Sequence, residues 1–206
     1  LYAPPANQRR KTQRRRAIGL LRELLPGSSA IEPTHVLSNG RYSVLLRANG
    51  AGSSTFDHAG ITRTRDDALR DDRGSFFYLR RKYQTHLHSI TQHPAPDPAA
   101  HYSSAFHADR VCFDAVWRDV QAHTTVWISP EDDIEFRQIT LHNLGDQPLE
   151  IELLSAFEVA LSDPRADEAH PAFTNLFVSA QWLASHQALL MARKPRRQGE
   201  RVIDAR

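Results

Sequence analysis

One segment of the chain, residues 149–161, keeps its large apolar side chains mostly at every second position for thirteen residues. Every second residue from Leu149 is apolar except Ser155, and three glutamates lie in the opposite phase. Successive side chains of an extended strand point to opposite faces of a sheet, whereas a helix repeats about every 3.6 residues. The segment therefore predicts a single long β-strand with one apolar face.

The same period of two recurs in much of the chain beyond Thr34. The other predicted strands cover residues 41–47, 75–79, 111–117, 122–128, 134–141, 173–180 and 188–191. Turn-forming pairs such as Arg118-Asp119 and Gly145-Asp146 separate some of them. Repeated strands divided by turns are typical of an antiparallel β-sandwich. We therefore predict a mainly β fold, a large antiparallel β-sandwich with some strands longer than ten residues.

Three local features refine this prediction. Asn39-Gly40 has the residues of a two-residue type I′ hairpin turn, in which both central positions take positive φ. The apolar positions change phase between Phe136 and Ile139. A β-bulge near Arg137-Gln138 would explain this change, because a bulge inserts one unpaired residue into a strand. Residues 162–169 show no apolar period and predict a polar loop.

The residues before the sandwich follow a different period. Apolar residues recur at helical spacing before Pro26-Gly27, which predicts a short amphipathic helix over residues 15–25 behind a basic arm. This segment either binds an anionic surface or forms a linker with solvated arginines. We favour the linker, because charge runs are usually solvated. The predicted organisation is a basic arm and linker helix at 1–33, a β-sandwich domain at 34–197, and a charged tail at 198–206 that leads to a downstream domain.

The charge is unevenly distributed, which bears on the partners of the chain. Residues 1–34 hold seven basic and two acidic residues, and residues 193–206 hold six and two. The body between them holds 13 basic and 20 acidic residues, a net charge of −7. Because an acidic surface repels phosphate groups, nucleic acid is not an expected partner. No apolar run approaches the ~20 residues that span a bilayer, so we expect a soluble piece.

Several kinds of chemical site are not predicted. The single cysteine, Cys112, permits neither an internal disulfide nor a multi-cysteine zinc site. His86 and His88 would share one face of an extended segment, but a third metal ligand at a fixed offset is missing. The sequence contains no glycine-rich phosphate loop and no nucleophile elbow. We therefore expect no metal and no cofactor.

A dense cluster of charges lies between Arg63 and Arg73, with four arginines and four aspartates. It is either a solvated loop or a platform of mutual hydrogen bonds, because so many charges cannot be buried unpaired. Exposed ion pairs contribute about 0–1 kcal/mol each, whereas a buried network that loses one partner costs about 3–5 kcal/mol. We favour the ordered network, in which replacing Arg65 or Asp72 lowers the free energy of unfolding by more than about 1 kcal/mol.

Four separate blocks of this sequence resemble the opening β domain of glycoside hydrolase family 94. They are LSNGRYS at 37–43, ITRTRDD at 61–67, DDRGSF at 71–76 and AHPAF at 169–173. The resemblance covers about residues 34–197 and is strongest to the carboxy-terminal phosphorylase-like region of cyclic β-1,2-glucan synthases. The chain departs from the family at Thr64 and Arg73, where the family usually has tryptophan.

The resemblance implies a galactose-mutarotase-like supersandwich that precedes a helical (α/α)6 barrel. In similar proteins that barrel carries the general-acid aspartate and the phosphate-binding residues, so the resemblance implies a catalytically silent fragment with no catalytic residue of its own. It implies that the chain shapes one wall of a carbohydrate site or holds a subunit interface. The residues expected in that wall are Arg63, Arg65, Asp66, Asp71, Asp72 and His170.

The resemblance also implies partners. They are the downstream barrel of the same parent chain, a β-glucan oligosaccharide, and a second copy in a homodimer. The implied parent is a bacterial glycosyltransferase or glycoside phosphorylase that acts on β-glucans, in the cytoplasm or on the cytoplasmic face of the inner membrane.

Trp127 is the best candidate for a ring that stacks on a sugar. Trp117 lies in phase with apolar core positions, whereas Trp127 lies out of phase with its apolar neighbours and is expected to face outward. An alternative function from another class is an autonomous sugar-acting enzyme of the aldose-epimerase type. Such an enzyme uses a histidine acid and a glutamate base in one cleft, and His170 and Glu158 are the candidates here.

Overall fold

The computed structural model describes residues 22–27, 31–64, 72–194 and 204–205. It is mainly β, as predicted, with antiparallel sheets and a few short helices. The strands are β1 (Arg22–Leu24), β2 (Thr34–Ser38), β3 (Tyr42–Arg47), β4 (Gly52–Phe56), β5 (Ala59–Thr62), β6 (Ser75–Arg81), β7 (His88–Ser89), β8 (His101–Phe106), β9 (Arg110–Val116), β10 (Val120–Ile128), β11 (Glu135–Asn143), β12 (Ile151–Phe157), β13 (Val159–Ser162), β14 (Val178–Leu183), β15 (Ala188–Arg193) and β16 (Asp204–Ala205). The helices are α1 (Pro164–Ala169) and α2 (Pro171–Asn175), and a short 3-10 helix follows at Ala184–His186.

Within the described residues the strands form four antiparallel sheets. Sheet 1 has the order β1-β8-β9-β10-β11, sheet 2 the order β13-β5-β4-β3-β2, sheet 3 the order β12-β6-β7, and sheet 4 the order β14-β15-β16. Glu158 alone separates β12 from β13. Sheets 2 and 3 therefore adjoin at the point where the chain passes from one to the other.

Two apolar clusters hold sheet 1 against sheets 2 and 3. The first joins Leu37, Val44, Leu46 and Ala48 on the sheet 2 side to Phe106, Val111, Phe113 and Val126 of sheet 1. The second joins Leu79 and Ile90 on the sheet 3 side to Ala115, Trp117, Val120 and Ala122 on the sheet 1 side. Burying each large side chain stabilises the fold by about 1.5–3 kcal/mol. Sheet 1 is thus one layer of the sandwich, and sheets 2 and 3 together form the other.

The core position predicted for Trp117 is confirmed, because 4% of the residue is exposed. The long strand predicted over residues 149–161 is instead two strands, and the longest strands, β10 and β11, have nine residues each. Leu161 takes φ of +48° where the register of β13 shifts. Leu153 and Phe157 remain about two-fifths exposed. The alternation correctly predicted that residues 149–161 are mostly extended. It did not predict that they form two shorter strands, because the chain passes from one sheet to another at Glu158.

Two predictions near the amino end are wrong. Arg22–Leu24, the end of the predicted helix, is strand β1, which pairs with β8 at the edge of sheet 1. Pairing with a sheet edge outweighs the weak local preference for helix, and residues 1–21 lie outside the described residues. At Asn39-Gly40, Gly40 takes φ of +98° but Asn39 does not take positive φ. The turn is closed by Asn39 Oδ1, which accepts hydrogen bonds from the backbone N–H groups of Arg41 and Tyr42 at 3.0 and 2.8 Å.

The region after β13 is more helical than predicted. The predicted loop at 162–169 contains α1, which begins after Asp163, whose side chain accepts hydrogen bonds from the backbone of Arg165 and Ala166. Proline at the start of each helix favours this conformation because its φ suits the first turn. The strand predicted over 173–180 begins only at Val178, after α2. Among the described residues no helix has the length and apolarity needed to cross a membrane.

Strand β11 has no bulge at the predicted position. Its pairing with β10 runs without a register shift from Ile128 opposite Glu135 to Val120 opposite Asn143. The apolar phase changes because Glu135 and Arg137 occupy the inner face, where their side chains are 11% and 13% exposed. A buried ion pair, rather than an extra residue, therefore accounts for the change of phase.

Candidate functional site

Arg63 lies just after β5 and is the centre of the predicted charge cluster. Its side chain is 9% exposed and donates from Nε and Nη2 to the two oxygens of Asp167, at 2.8 and 3.1 Å. Nη1 donates to Glu158 Oε2 at 2.9 Å, and Nη2 also reaches Asn175 Oδ1 at 2.7 Å and the carbonyl of Pro171 at 3.3 Å. Two parallel bonds to one carboxylate fix both partners in orientation. One guanidinium thus ties β5 to the β12–β13 junction and to both helices.

Arg73 extends this cluster toward solvent. It pairs with the other oxygen of Glu158, and its Nε lies 3.6 Å from Asp72 Oδ1. Glu158 and Asp72 each leave about half of their side chains exposed. We call Arg63, Arg73, Asp72, Glu158 and Asp167 the Arg63 network. It is buried at Arg63 and Asp167 and open to solvent at Asp72 and Glu158.

The surroundings of Arg63 favour its charged form. Hydrogen bonds to the Asp167 carboxylate raise the pKa of Arg63, although burial of the guanidinium opposes the shift. The arginine therefore stays charged at every working pH. A cavity of about 60 Å³ lies beside it, lined by Arg63, Thr64, Arg73, Asp167, Glu168 and Pro171. That space suits a water molecule or a single hydroxyl group.

The predicted wall residues are only partly brought together in the described structure. Arg63 belongs to the network and Asp72 lies at its edge, whereas Arg65, Asp66 and Asp71 lie outside the described residues. His170 is exposed between α1 and α2, where its carbonyl accepts hydrogen bonds from the following helical turn and its ring contacts Phe173 at a centroid distance of 6.3 Å. The sequence did not identify Asp167 as a partner, because 104 residues separate it from Arg63.

Trp127 lies on the outer face of sheet 1, opposite the core. Its ring stacks on Phe136 at a centroid distance of 5.0 Å and an interplanar angle of 14°. The two residues are cross-strand neighbours on β10 and β11, and 39% of Phe136 is exposed. A sugar contact at Trp127 stays a prediction.

The other candidate chemistries gain no support from the geometry. The rings of His86 and His88 lie 6.3 Å apart, and the described residues contain no group of three or more side chains that could hold a metal ion. Both oxygens of Glu158, the suggested base of an epimerase, are held by arginines. That pairing gives Glu158 a structural role, and the acid and base pair of His170 and Glu158 stays a prediction.

A second feature, a cleft of about 600 Å³, was not identified from the sequence. It opens between β11 and the junction of sheets 2 and 3. Glu135 lies at its polar end and accepts hydrogen bonds from Ser54 Oγ at 2.6 Å, Tyr42 Oη at 3.1 Å and Arg137 Nε at 2.5 Å. Burial and the nearby Glu135 carboxylate raise the pKa of Tyr42, which stays protonated. The change of apolar phase in β11 was the one sequence signal of this site.

Comparison with known proteins identifies the family. Residues 27–205 match the sequence model of the family described as glycosyl hydrolase 94, supersandwich domain. Over 171 residues the chain is 30% identical to the cyclic beta-(1,2)-glucan synthase NdvB of Rhizobium meliloti (strain 1021). That match covers 83% of this chain and 6% of the length of the synthase. The resemblance seen in the four sequence blocks is thereby confirmed, and the chain belongs to the glycosyl hydrolase 94 supersandwich domain family.

Proposed function

We propose that this chain is the accessory β-sandwich of a cyclic β-1,2-glucan synthase or glycoside phosphorylase, where it packs on a helical catalytic barrel and shapes the glucan site. The observation that carries the proposal is the family match over residues 27–205, together with the similarity to a glucan synthase. The chain spans 6% of the length of that relative. A protein of that length has room for the barrel beside a supersandwich.

The Arg63 network supports the role of a shaped polar wall. Arg63 and Arg73 hold Glu158 in place, Asp72 lies beside Arg73, and about half of each carboxylate side chain is exposed. Carboxylate oxygens accept hydrogen bonds, so they suit sugar hydroxyls or the N–H groups of a neighbouring domain. Glu158, which two arginines hold, has less side-chain freedom to lose when a partner binds, and this favours binding.

Exposed apolar residues on α2, which contacts the network, and on sheet 4 support the packing of a partner domain. On α2 and just after it, Phe173 and Leu176 are 57% and 76% exposed. On sheet 4, Trp182 and Leu189 are cross-strand neighbours, and more than half of each is exposed. Large exposed apolar groups near charged residues are typical of interaction surfaces. We assign these exposed apolar residues to contact with the barrel, and a second copy of the chain is the other candidate partner.

A first test is the reading frame beyond Arg206. A continuation that encodes a helical domain of several hundred residues supports the proposal, and a stop codon directly after Arg206 overturns it. The same reading frame would show whether the parent protein has the sequence of a cytoplasmic protein or of an inner-membrane protein.

A second test uses the protein that this full frame encodes. Asp72→Asn and His170→Ala change exposed wall residues and should lower glucan-forming or phosphorolytic activity without lowering the unfolding temperature. Asp146→Asn, in the exposed turn after β11, is the matched control and should keep full activity. Unchanged activity in both wall variants would contradict the proposal that Asp72 and His170 form a wall of the glucan site. Lost activity in the control would show that removing any surface charge lowers activity.

A further inference from the structure

We propose that the cleft between β11 and the junction of sheets 2 and 3 binds a neutral polyhydroxylated ligand, such as a glucose unit or a short glucan. This site is separate from the Arg63 network, because the two share no lining residue. The volume of about 600 Å³ lies within the roughly 300–1,000 Å³ of small-molecule pockets. It greatly exceeds the ~30 Å³ share of one water molecule.

The polar end of the cleft is preorganised to receive hydroxyl groups. Ser54 Oγ and Tyr42 Oη donate to the same oxygen of Glu135, and Arg137 donates to the other oxygen and to the carbonyl of Ser75 at 2.9 Å. A carboxylate offers about four acceptor positions, and these contacts use three. The fourth position, beside the Ser54 and Tyr42 hydroxyls, is available to a ligand that donates an O–H group.

The charges in the cleft are paired, which indicates a neutral ligand. Glu135 and Arg137 form a pair at 2.5 Å. Asp133, at the opening, pairs with Arg41 at 3.2 Å and accepts from Asn39 Nδ2. A phosphate would need an uncommitted cation, and an amine would need an uncommitted carboxylate. The described lining residues supply neither, so uncharged hydroxyl groups are the best match.

The remaining wall is apolar and aromatic. Phe56, Phe76, Phe77 and Phe157 line it from β4, β6 and β12, and Phe157 is 43% exposed. A sugar ring has an apolar C–H face and a polar rim of hydroxyls. Such a ring fits a cleft with aromatic rings along one wall and a few oriented polar groups at one end. The combination distinguishes a sugar from a purely apolar ligand, which would leave the remaining acceptor position of Glu135 without a hydrogen bond.

The position of the ion pair also argues for a binding role. Opposite Glu135 on β10, Ile128 packs on the first apolar cluster, while Ile139 of β11 packs on the second. An apolar pair at 135 and 137 would join the two clusters at no desolvation cost. A buried ion pair at that junction instead keeps a polar, open space in the sandwich.

In the test, the full 206-residue chain is titrated separately with D-glucose, with a β-1,2-linked glucose disaccharide and with inorganic phosphate. NMR signals of the backbone amides monitor each titration. The choice of a β-1,2-linked sugar rests on the proposed function, whereas the proposal that the cleft binds a neutral sugar rests on its lining residues alone. Saturable shifts for the neutral sugars, centred on Ser54, Glu135 and Phe157, are expected. Absence of saturation by either sugar at tens of millimolar, or preferential binding of phosphate, overturns the proposal.

Variants at two exposed serines locate the binding. Ser155 lines the cleft on an exposed strand position, and Ser155→Trp should fill the space and weaken sugar binding at least about tenfold. Ser103, exposed on β8 and outside the cleft, is the matched control, and Ser103→Trp should leave the affinity unchanged. Equal affinity in both variants would overturn the location. The shift map of the unmodified chain decides the question independently if Ser155→Trp lowers the unfolding temperature. Because no barrel takes part, failure here leaves the accessory-domain proposal standing, and a stop codon after Arg206 leaves this site standing.

Discussion

Arg63 places a full positive charge in a site where 9% of the side chain is exposed. Two carboxylates and two uncharged oxygens accept hydrogen bonds from the guanidinium within 3.3 Å and offset the cost of removing its charge from water. Such an arrangement is stable as a set and fragile to the loss of one member, because the remaining charge stays buried. The density of charge in the sequence predicted an ordered network. It did not predict that the main partner of Arg63 is Asp167, on a helix far along the chain.

The first prediction concerns Asp167. Asp167→Asn removes the charge that faces Arg63 and directs an amide N–H toward the guanidinium, so the free energy of unfolding should fall by about 3–5 kcal/mol. Arg80→Met is the control, because Arg80 and Glu152 form an ion pair with 39% and 50% of their side chains exposed, worth about 0–1 kcal/mol. Urea denaturation measures both. Equal effects of the two variants would show that the Arg63 network is no more than a solvated set of charges.

Asp72 illustrates how exposure changes an energetic expectation. The sequence alone placed Asp72 in a buried network, but half of its side chain is exposed and its contact with Arg73 Nε is 3.6 Å long. At that distance and exposure an ion pair contributes about 0–1 kcal/mol. Asp72→Asn therefore suits a test of binding or packing, and Asp167→Asn suits a test of stability. The sequence shows which residues are charged, but burial is set by helices that pack from elsewhere.

The second prediction concerns acid stability through Asp119. Arg81 donates to both oxygens of Asp119, at 3.1 and 2.6 Å, and this hydrogen bonding lowers the pKa of Asp119 below the ordinary value of an aspartate. A carboxyl whose folded pKa is depressed contributes stability above its unfolded pKa and loses it as pH falls through the folded pKa. Asp119→Asn should therefore reduce stability at pH 7 and flatten the loss below about pH 4.

Thermal unfolding between neutral pH and about pH 2 checks this expectation. Asp146→Asn, at an exposed turn, is the control and should follow the unmodified protein at every pH. A profile for Asp119→Asn that runs parallel to the unmodified one would contradict the role of the Arg81 pair.

At the scale of elements, β11 shows what a sequence pattern can and cannot reveal. The change of apolar phase after Phe136 was visible, and a bulge was the simplest structural explanation. The unbroken register with β10 shows that the strand is regular and that its inner face carries an ion pair. A pattern of hydrophobicity treats an inward-facing Glu and Arg as outward-facing residues, because it contains no information about which charged side chains pair with each other. The cleft therefore could not have been found from the sequence.

The third prediction separates the two charges of β11. Arg137→Leu leaves Glu135 buried without its cation and should lower the free energy of unfolding by about 3–5 kcal/mol. The double variant Glu135→Leu with Arg137→Leu removes both charges and should be more stable than the single variant, because no isolated charge remains. A double-mutant cycle from urea denaturation measures the coupling. Additive losses would show that the two side chains act independently.

Other elements were predicted for reasons that are equally physical. Period-two patterns located the strands near β3, β9, β10 and β15, because alternation follows directly from strand geometry. The same patterns failed where pairing with a distant strand determines the secondary structure. In β1 the apolar residues have helical spacing, but the segment forms a strand because it pairs with β8 at the edge of sheet 1. The patterns also failed after β13, where an N-capping Asp163 and two prolines start helices. In that last case the local signals were present in the sequence.

At the scale of the whole molecule, the sandwich has two polar sites of different character. The Arg63 network is charged, half open and flanked by exposed apolar residues, which suits contact with another domain. The cleft is charge-paired and aromatic, which suits a neutral ligand. Of the residues that the sequence suggested for a polar wall, Arg63 and Asp72 belong to the first site, whereas His170 lies outside it. The second depends on three sheets meeting, and no local pattern contains that information.

The fourth prediction concerns catalysis by the chain alone. Without a barrel, the isolated 206-residue chain should show no phosphorolysis, hydrolysis or glucosyl transfer on β-1,2-, β-1,3- or β-1,4-linked glucans, and no faster interconversion of α- and β-glucose than buffer. Glu158 and Glu135, two carboxylates at the candidate sites, are held by arginines, which suits structural roles better than proton transfer. Product analysis with added phosphate and proton-exchange NMR of α-glucose measure these activities. Interconversion of α- and β-glucose that is faster than in buffer and disappears in Glu158→Gln or His170→Ala would instead support the aldose-epimerase type of function, whether or not the cleft binds sugar.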